Sequence, residues 1–301
     1  MRLRLETMPW RELTVGFALQ GVVVLALTCA GLPESLRYLD YRGSRDRALA
    51  TLRWVRSLNG RADVDVEQWQ SSEPEADAGV APVFARSLLP TTCTMCLLAF
   101  FLNFSYYGSM YALPQVLPDV TLGVSMFASL LIASAVEIVG FFFAIALCRR
   151  VTRKASLLVY LVGVAVTTGV FLGALSLGSS MALVAVVVNM AVAAGRFFQS
   201  IGWAAAYVYI SEVYPTSCRA FGASVAVATG RLGGILAPMA FEWLLSTTGR
   251  PTGFFTVVMA MAALIASLVQ GLPVETKDRQ LGDIGREAQS LRPAAQLAKS
   301  V

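Results

Sequence analysis

Residues 206–222 read Ala-Tyr-Val-Tyr-Ile-Ser-Glu-Val-Tyr-Pro-Thr-Ser-Cys-Arg-Ala-Phe-Gly and lie between two long apolar runs. Pro215 lacks the N–H that a helix interior requires and disfavours helical geometry at the residue before it, so the first run is expected to end here. The second run begins within a few residues. This stretch therefore predicts two membrane helices joined by a tight, charged hinge.

The composition excludes an ordinary soluble domain. Hydrophobic residues make up 56% of the 301 residues, charged residues make up 14%, and the mean hydropathy is +0.64. Histidine is absent, which removes the commonest metal ligand and acid–base group. The five cysteines lie in or beside apolar runs, where a disulfide framework is not expected. We predict an all-α, multi-pass membrane protein with no enzyme activity, no metal site and no cofactor.

Seven apolar runs are long enough to cross a bilayer, which takes about 20 residues. They cover roughly Leu13–Leu32, Leu88–Val116, Thr121–Leu147, Ser156–Leu177, Met181–Ile210, Ala220–Leu245 and Phe254–Leu272. Four Lys and Arg residues lie in the loop 149–154, whereas the loops 117–120 and 178–180 have none. The positive-inside rule places three parts of the chain in the cytosol, namely the 149–154 loop, the Pro215 hinge and the C-terminal tail, and it places the N-terminus outside. Arg250 and the N-terminal arginines do not follow this pattern. The net charge of +5 thus reflects topology, and no nucleic-acid partner is expected.

The chain divides into five predicted parts. They are an extracytosolic flank at residues 1–12, the first span at 13–32, a cytosolic loop at 33–87, a bundle of six spans at 88–272 and a cytosolic tail at 273–301. Within the loop, apolar residues at helical spacing from Ser44 to Leu58 predict an amphipathic helix, and the acidic stretch from Arg61 to Ala81 predicts a flexible linker. The first span could also be a cleaved signal peptide, but its apolar run exceeds the usual length of about 7–15 residues.

A receptor with seven spans would have the same span count. The sequence contains neither an acidic-Arg-Tyr triplet at the end of the third span nor an Asn-Pro-x-x-Tyr motif in the last one. The longest cytosolic segment follows the first span, which is also unusual for a receptor. These observations disfavour that class.

Five motifs in a fixed order carry a family resemblance. The hinge, with Arg196 before it and Glu212, Pro215 and Arg219 within it, resembles the junction of spans ten and eleven in major facilitator superfamily transporters, especially the organic-ion and synaptic-vesicle-related branch. Leu-Pro-Glu-Ser-Leu-Arg-Tyr-Leu at 32–39 resembles the exit from span six. Asn-Phe-Ser-Tyr-Tyr-Gly at 103–108 resembles span seven, Val-Glu-Ile-Val-Gly at 136–140 resembles span eight, and Pro-Val-Glu-Thr-Lys at 273–277 resembles the end after span twelve.

The resemblance covers nearly the whole chain from Leu13 on, but only spans six to twelve of the family's twelve. It implies the C-terminal half of a carrier for small organic ions, in which two halves alternate access around a midplane site. The partners would be the organic ion, the bilayer of a plasma or vesicle membrane, a coupling ion and an N-terminal half that the chain requires. We expect the chain to be part of a longer protein. The alternative is a non-transporting scaffold or regulatory protein derived from the fold.

One loop departs from the family pattern. Where the family has an acidic residue and a glycine in the turn between spans eight and nine, this chain has Arg149-Arg150-Val151-Thr152-Arg153-Lys154. The resemblance implies that the acidic group helps to hold neighbouring helix ends together. Its absence predicts altered gating.

Three ionisable residues lie deepest in the spans, namely Glu137, Arg196 and Arg231, and each must face the bundle interior, water or a partner. The resemblance implies that Arg231 stands at a charge-selecting position, where an arginine favours an anionic substrate. Its fork of donors suits a carboxylate. Glu137 and Arg196 are predicted to form an intramembrane charge pair, which either belongs to the cavity or is only a packing device.

Polar and aromatic side chains near these charges are candidates for a wet cavity, because a few hydroxyl and amide groups orient ligands in mostly apolar pockets. These candidates are Asn103, Tyr106, Tyr107, Gln199 and Trp203, whereas Tyr111 lies near the outer end and is expected to be an interfacial anchor. A cytosolic gate is predicted from Glu212, Arg219, Arg149, Arg150, Arg153 and Lys154. Gly230 and Gly234 belong to a small-residue ridge that predicts close helix packing.

Overall fold

A computed structural model describes residues 10–34, 36, 39, 43–60, 66, 81–86, 88–117, 126–177, 182–214, 218–272 and 275–277. The chain divides into two compact units, residues 1–75 and 76–301. Pro215 of the hinge, most of the predicted acidic linker and the tail beyond Lys277 lie outside the described residues.

Two complete helices are described in the first unit, α1 (Trp10–Gly31) and α2 (Arg45–Leu58). Helix α1 is an apolar helix of 22 residues, as the first span predicts. Helix α2 coincides with the predicted amphipathic helix. It ends where Gly60 adopts a positive φ of 64°, a conformation that costs glycine nothing.

The described part of the second unit contains a short 3-10 helix at Ala81–Phe84 and six long helices. They are α3 (Leu89–Val116), α4 (Met126–Arg150), α5 (Arg153–Ser176), α6 (Ala182–Val213), α7 (Arg219–Thr248) and α8 (Thr252–Gln270). With α1, the described residues contain seven helices that are long and apolar enough to cross a membrane. The predicted number of spans is confirmed, and all regular elements in the described ranges are helical.

The six helices pack in specific pairs. Helix α3 packs mainly against α7, α6 packs against both α4 and α5, and α5 packs against α8. In a bilayer, helices associate through close packing and polar contacts, since lipid is as apolar as the side chains. Gly233 lets α7 approach α3 so closely that an added Cβ would lie 2.3 Å from the carbonyl oxygen of Phe100. The small-residue ridge is thus a packing surface, as predicted.

The hinge joins α6 and α7 over a short distance. Helix α6 ends at Val213, and α7 begins at Arg219. Arg219 Nε donates a hydrogen bond of 3.1 Å to the carbonyl oxygen of Tyr214, and the buried Tyr214 ring packs against Gly222 in the first turn of α7. Burial raises the pKa of the Tyr214 hydroxyl to about 12, so this residue stays neutral in the hinge.

Candidate functional site

An exposed polar wall lies on α7 and α3. Arg231 is near the middle of α7 and its side chain is exposed, while Tyr107 on α3 is 40% exposed. An added Cβ at Gly234 would lie 3.0 Å from the Tyr107 ring, so Tyr107 lies against α7 one turn beyond Arg231. Pro238 has no N–H for the carbonyl of Gly234, which leaves a further acceptor on the same helix. We call Arg231, Tyr107 and Gly234 the α7 wall.

Asn103 is not part of this wall, contrary to our expectation that it lines a wet cavity. Its side chain is 1% exposed, and its Nδ2 donates a 2.9 Å hydrogen bond to the carbonyl of Ala99 on its own helix. The amide lies against Gly230, which places it inside the α3–α7 interface. Its Oδ1 has no hydrogen-bond partner in the described part of the chain.

Gln199 is also buried rather than exposed to the wall. Its Nε2 donates to the carbonyl of Leu102 at 3.0 Å and to Ser105 Oγ at 3.2 Å. These hydrogen bonds join α6 to α3. Gln199 therefore positions two helices and faces an internal cavity instead of the exposed surface.

Four aromatic rings connect the exposed wall to the interior of the bundle. Tyr106 meets Tyr107 edge to face with ring centroids 5.3 Å apart, and Trp203 meets Tyr106 in the same way at 5.6 Å. Trp203 also stacks on Tyr207 at 5.4 Å. Such pairs fix ring orientation. Trp203 is half-buried in this set, behind Tyr107.

Tyr106 lies near both of the charges that are predicted to pair. The guanidinium carbon of Arg196 lies 4.9 Å from the centre of the Tyr106 ring, and its Nη2 contacts Met110 Sδ. Tyr106 is also within electrostatic range of Glu137. Across the described ranges, the ion pair within 4.0 Å is Arg153–Glu212, so Glu137 and Arg196 do not form the direct contact that we expected. Tyr106 is thus a common neighbour of the two charges.

Tyr111 lies near the outer end of α3, and its hydroxyl donates a 2.7 Å hydrogen bond to Glu242 Oε1 on α7. Both side chains are exposed. The contact links two helices close to the predicted membrane surface, in keeping with an anchoring role.

A polar cluster at the opposite end of the bundle joins four chain segments. Arg153 donates through Nε and Nη2 to both carboxylate oxygens of Glu212 at 3.2 Å, and through Nη1 to the carbonyl of Cys148 at 2.8 Å. Thr276 Oγ1 donates to Glu212 Oε2 at 2.7 Å. Two parallel charged hydrogen bonds are stronger and more directional than neutral ones. We call Arg153, Lys154, Glu212, Glu275 and Thr276 the Arg153 cluster.

Glu275 closes this cluster at the start of α5. Its carboxylate accepts hydrogen bonds from the backbone N–H of Arg153 at 2.8 Å and of Lys154 at 3.3 Å. These are unpaired donors of the first helical turn, where a negative charge is favourable. The Lys154 ammonium contacts the carbonyl of Leu272, so the chain after α8 is held from both sides.

The predicted cytosolic gate is therefore only partly assembled. The Arg153 cluster contains Arg153, Lys154 and Glu212, whereas Arg149 and Arg150 are exposed at the end of α4 and Arg219 binds its own hinge. Sequence reasoning missed Glu275 and Thr276 as members, although both stand in the motif at 273–277. The Glu275 carboxylate contacts the turn at residues 149–154, which has no acidic residue of its own, and the Thr276 hydroxyl binds Glu212 beside it.

Replacing Arg153 with glutamine is expected to destabilise the protein by about 2 kcal/mol. The substitution removes the two charged hydrogen bonds between Arg153 and Glu212 and leaves the half-buried Glu212 carboxylate without its positive partner. Arg150→Gln is the matched control, since it removes the same charge three residues away at an exposed position. Thermal unfolding in detergent, followed by tryptophan fluorescence, measures both. Equal stability of the two variants would contradict the assignment.

The contribution of Glu275 is expected to depend on pH. Burial alone would raise the pKa of its carboxyl, but backbone N–H donors from Arg153, Lys154, Lys277 and Thr276 outweigh burial and lower the pKa. A lowered folded-state pKa gives stabilisation that is present above the unfolded pKa and is lost as the pH falls through the folded pKa. The melting-temperature difference between the wild type and Glu275→Gln should therefore be largest near pH 7 and shrink below about pH 5. A difference that does not change with pH would refute this role.

The sequence profile of the sugar (and other) transporter family matches residues 7–288. The chain belongs to this family. Among its relatives, the synaptic vesicle 2-related protein of Xenopus laevis is 28% identical over 298 residues, which cover 92% of this chain and 52% of the relative. Solute carrier family 22 member 7 of Rattus norvegicus is 30% identical over 286 residues, covering 90% of this chain and 49% of the relative.

A bacterial relative is the putative niacin/nicotinamide transporter NiaP of Bacillus subtilis strain 168. It is 32% identical over 205 residues, covering 67% of this chain and 49% of the relative. The solved structure of the major facilitator proton:xylose symporter XylE bound to 6-bromo-6-deoxy-D-glucose has a TM-score of 0.65 and 20% identity, covering 92% of this chain and 58% of that one. At that identity, the likeness shows the shared fold.

These comparisons confirm the predicted resemblance to the major facilitator superfamily and its synaptic-vesicle-related branch, and the predicted all-α bundle. The chain is a multi-pass integral membrane protein that belongs to a transporter family. The chain spans about half the length of the curated relatives that it matches, in agreement with a predicted match to one half of the fold.

Proposed function

We propose that the chain is the C-terminal half of a secondary carrier for small organic anions, with Arg231 as the substrate-binding charge. The observation that carries this proposal is the exposed guanidinium near the middle of α7, beside Tyr107.

An exposed arginine at that depth is not compatible with a lipid-facing position. A charge at the centre of a membrane helix costs about 2.5–3.5 kcal/mol on insertion scales and is found facing protein or water. The neighbours of Arg231 support a wet surface, since Tyr107 offers a hydroxyl and Gly234 offers a carbonyl without a helical partner. The α7 wall thus resembles one side of a polar ligand site.

The chemistry of Arg231 favours an anion with a planar acceptor group. A guanidinium presents two parallel donors that match a carboxylate, and Tyr107 offers a ring for stacking. Two relatives carry names that agree with such a ligand, the NiaP protein of Bacillus subtilis and the niacin transporter NiaP of Acinetobacter baylyi, which is 26% identical over 257 residues. Niacin is a small aromatic carboxylate, so nicotinate is the first substrate to test.

Alternating access requires a second wall and a moving gate. A complementary bundle of six spans, with or without a coupling ion, would face the α7 wall. On the other side of the molecule, the Arg153 cluster ties the ends of α4, α5 and α6 to the chain after α8, which lets these helix ends move as one body. We propose that the cluster holds the gate in one conformation.

Uptake into proteoliposomes tests the proposal. The chain is reconstituted alone and after co-expression with the first five spans of a relative, and uptake of labelled nicotinate is compared with that of neutral labelled nicotinamide. We expect uptake of the anion in the second preparation, with competition by benzoate. No uptake of any organic anion in either preparation under an imposed ion gradient would refute transport and favour the scaffold alternative.

A further inference from the structure

A half-open cavity of about 60 Å³ lies in the second unit, among α3, α5, α6 and α8. Its lining includes Arg196, Gln199, Ser109, Thr168 and Val192. Helix α7, which carries Arg231, contributes none of the lining residues. The cavity is therefore separate from the α7 wall.

Arg196 brings a buried positive charge to this cavity. The side chain is 7% exposed, and its described contacts are the face of the Tyr106 ring and the sulfur of Met110. A thioether is a weak acceptor, and a guanidinium has five N–H donors. Across the described residues, no carboxylate lies within 4.0 Å of Arg196. A buried charge without an anionic partner is costly, so the site favours an anion.

Two hydroxyl groups in the lining remain available for a ligand. Thr167 donates to the carbonyl of Gly163 at 2.8 Å, and Ser105 and Gln199 bind each other at 3.2 Å. In contrast, the side chains of Ser109 and Thr168 make no hydrogen bond with the residues that the structure describes. Hydroxyls of this kind can donate to an anion beside the guanidinium.

The size of the cavity restricts the ligand. A buried water molecule needs a cavity volume of about 10–15 Å³, whereas pockets for drug-sized ligands have volumes of about 300–1,000 Å³. Sixty cubic ångströms therefore suits a monatomic ion with one or two waters better than an aromatic carboxylate. We propose that the cavity is a halide site, occupied by chloride that is held by Arg196, Ser109 and Thr168.

Chloride binding can be measured without transport, so its failure is distinguishable from failure of the proposed carrier function. The purified chain in detergent is melted in sodium chloride and in sodium gluconate of equal ionic strength. We expect a melting temperature about 3 °C higher in saturating chloride, because a ligand that binds only the folded state stabilises it. Bromide should give the same rise and an anomalous scattering peak beside Arg196 in crystals.

Variants test the location of the site. Arg196→Met should abolish the rise, whereas Arg250→Met, which removes the same charge at an exposed position at the end of the bundle, should keep it. If Arg196→Met does not fold, Thr168→Leu fills the cavity with Arg196 in place and should also abolish the rise. Equal melting temperatures of the wild type in the two salts would overturn the proposal. A rise that persists in both cavity variants would also overturn it. A further variant, Glu137→Gln, tests whether Glu137 is the counter-charge of Arg196: if chloride raises the melting temperature of this variant alone, Glu137 has that role and the proposal fails.

Discussion

Replacing Arg231 with alanine is expected to reduce nicotinate uptake by roughly 10–100-fold. The estimate follows from the loss of a charged hydrogen bond of about 1.5–3 kcal/mol to the carboxylate. Arg231→Lys keeps the charge but loses the two-point geometry, so it should retain part of the activity. Initial uptake rates into proteoliposomes that contain the complementary half measure the effect.

Arg250→Ala is the matched control for this experiment. Arg250 is also exposed, but it lies between α7 and α8 at the end of the bundle, so its loss should leave uptake within about twofold of the wild type. Because Arg231 is exposed, its alanine variant should also melt close to the wild type. Unchanged nicotinate uptake by Arg231→Ala would remove Arg231 from the substrate site. If the substitutions change the uptake of nicotinate but not that of neutral nicotinamide, Arg231 acts on the negative charge of the substrate.

Replacing Gly233 with alanine is expected to destabilise the bundle by about 3 kcal/mol, or roughly 6–12 °C in melting temperature. The added Cβ would lie 2.3 Å from the carbonyl oxygen of Phe100, and a backbone atom cannot rotate away. The two helices would have to separate along α3 and α7, which form the most extensive helix pair of the bundle. Thermal unfolding of the purified protein measures the loss.

Gly234→Ala, one residue further on, is a close control. There the added Cβ would lie 3.0 Å from the ring of Tyr107, a side chain that is 40% exposed and can turn. We expect a loss of less than about 1 kcal/mol. Similar melting temperatures of the two variants would contradict direct backbone packing of α7 on α3 at Gly233.

The spans could be predicted from the sequence, because a bilayer sets both the length and the polarity of a crossing helix. The predicted run Leu88–Val116 and the helix Leu89–Val116 differ by one residue. For the predicted run Thr121–Leu147 the described helix is Met126–Arg150, and residues 118–125 lie outside the described part of the chain. The hinge was also predictable, since proline and arginine interrupt the apolar runs there.

The facing of the helices could not be predicted in the same way. Helix α3 is apolar around its whole circumference, so its periodicity does not say which side Asn103 or Tyr107 faces. Asn103 proved to be buried against Gly230, whereas Tyr107, four residues later, is exposed beside Gly234. The expected direct pair of Glu137 and Arg196 likewise depends on the position of a third side chain, Tyr106.

The sequence by itself determined the membrane class, the number of spans and the family, because hydropathy and short motifs are local properties of the chain. Only the tertiary structure decided that Arg196 is buried beside a cavity, that Arg231 is exposed, and that Glu275 caps a helix that begins 122 residues earlier. Contacts between residues so far apart depend on how the helices pack, and that packing is not encoded in the polarity pattern of any one helix.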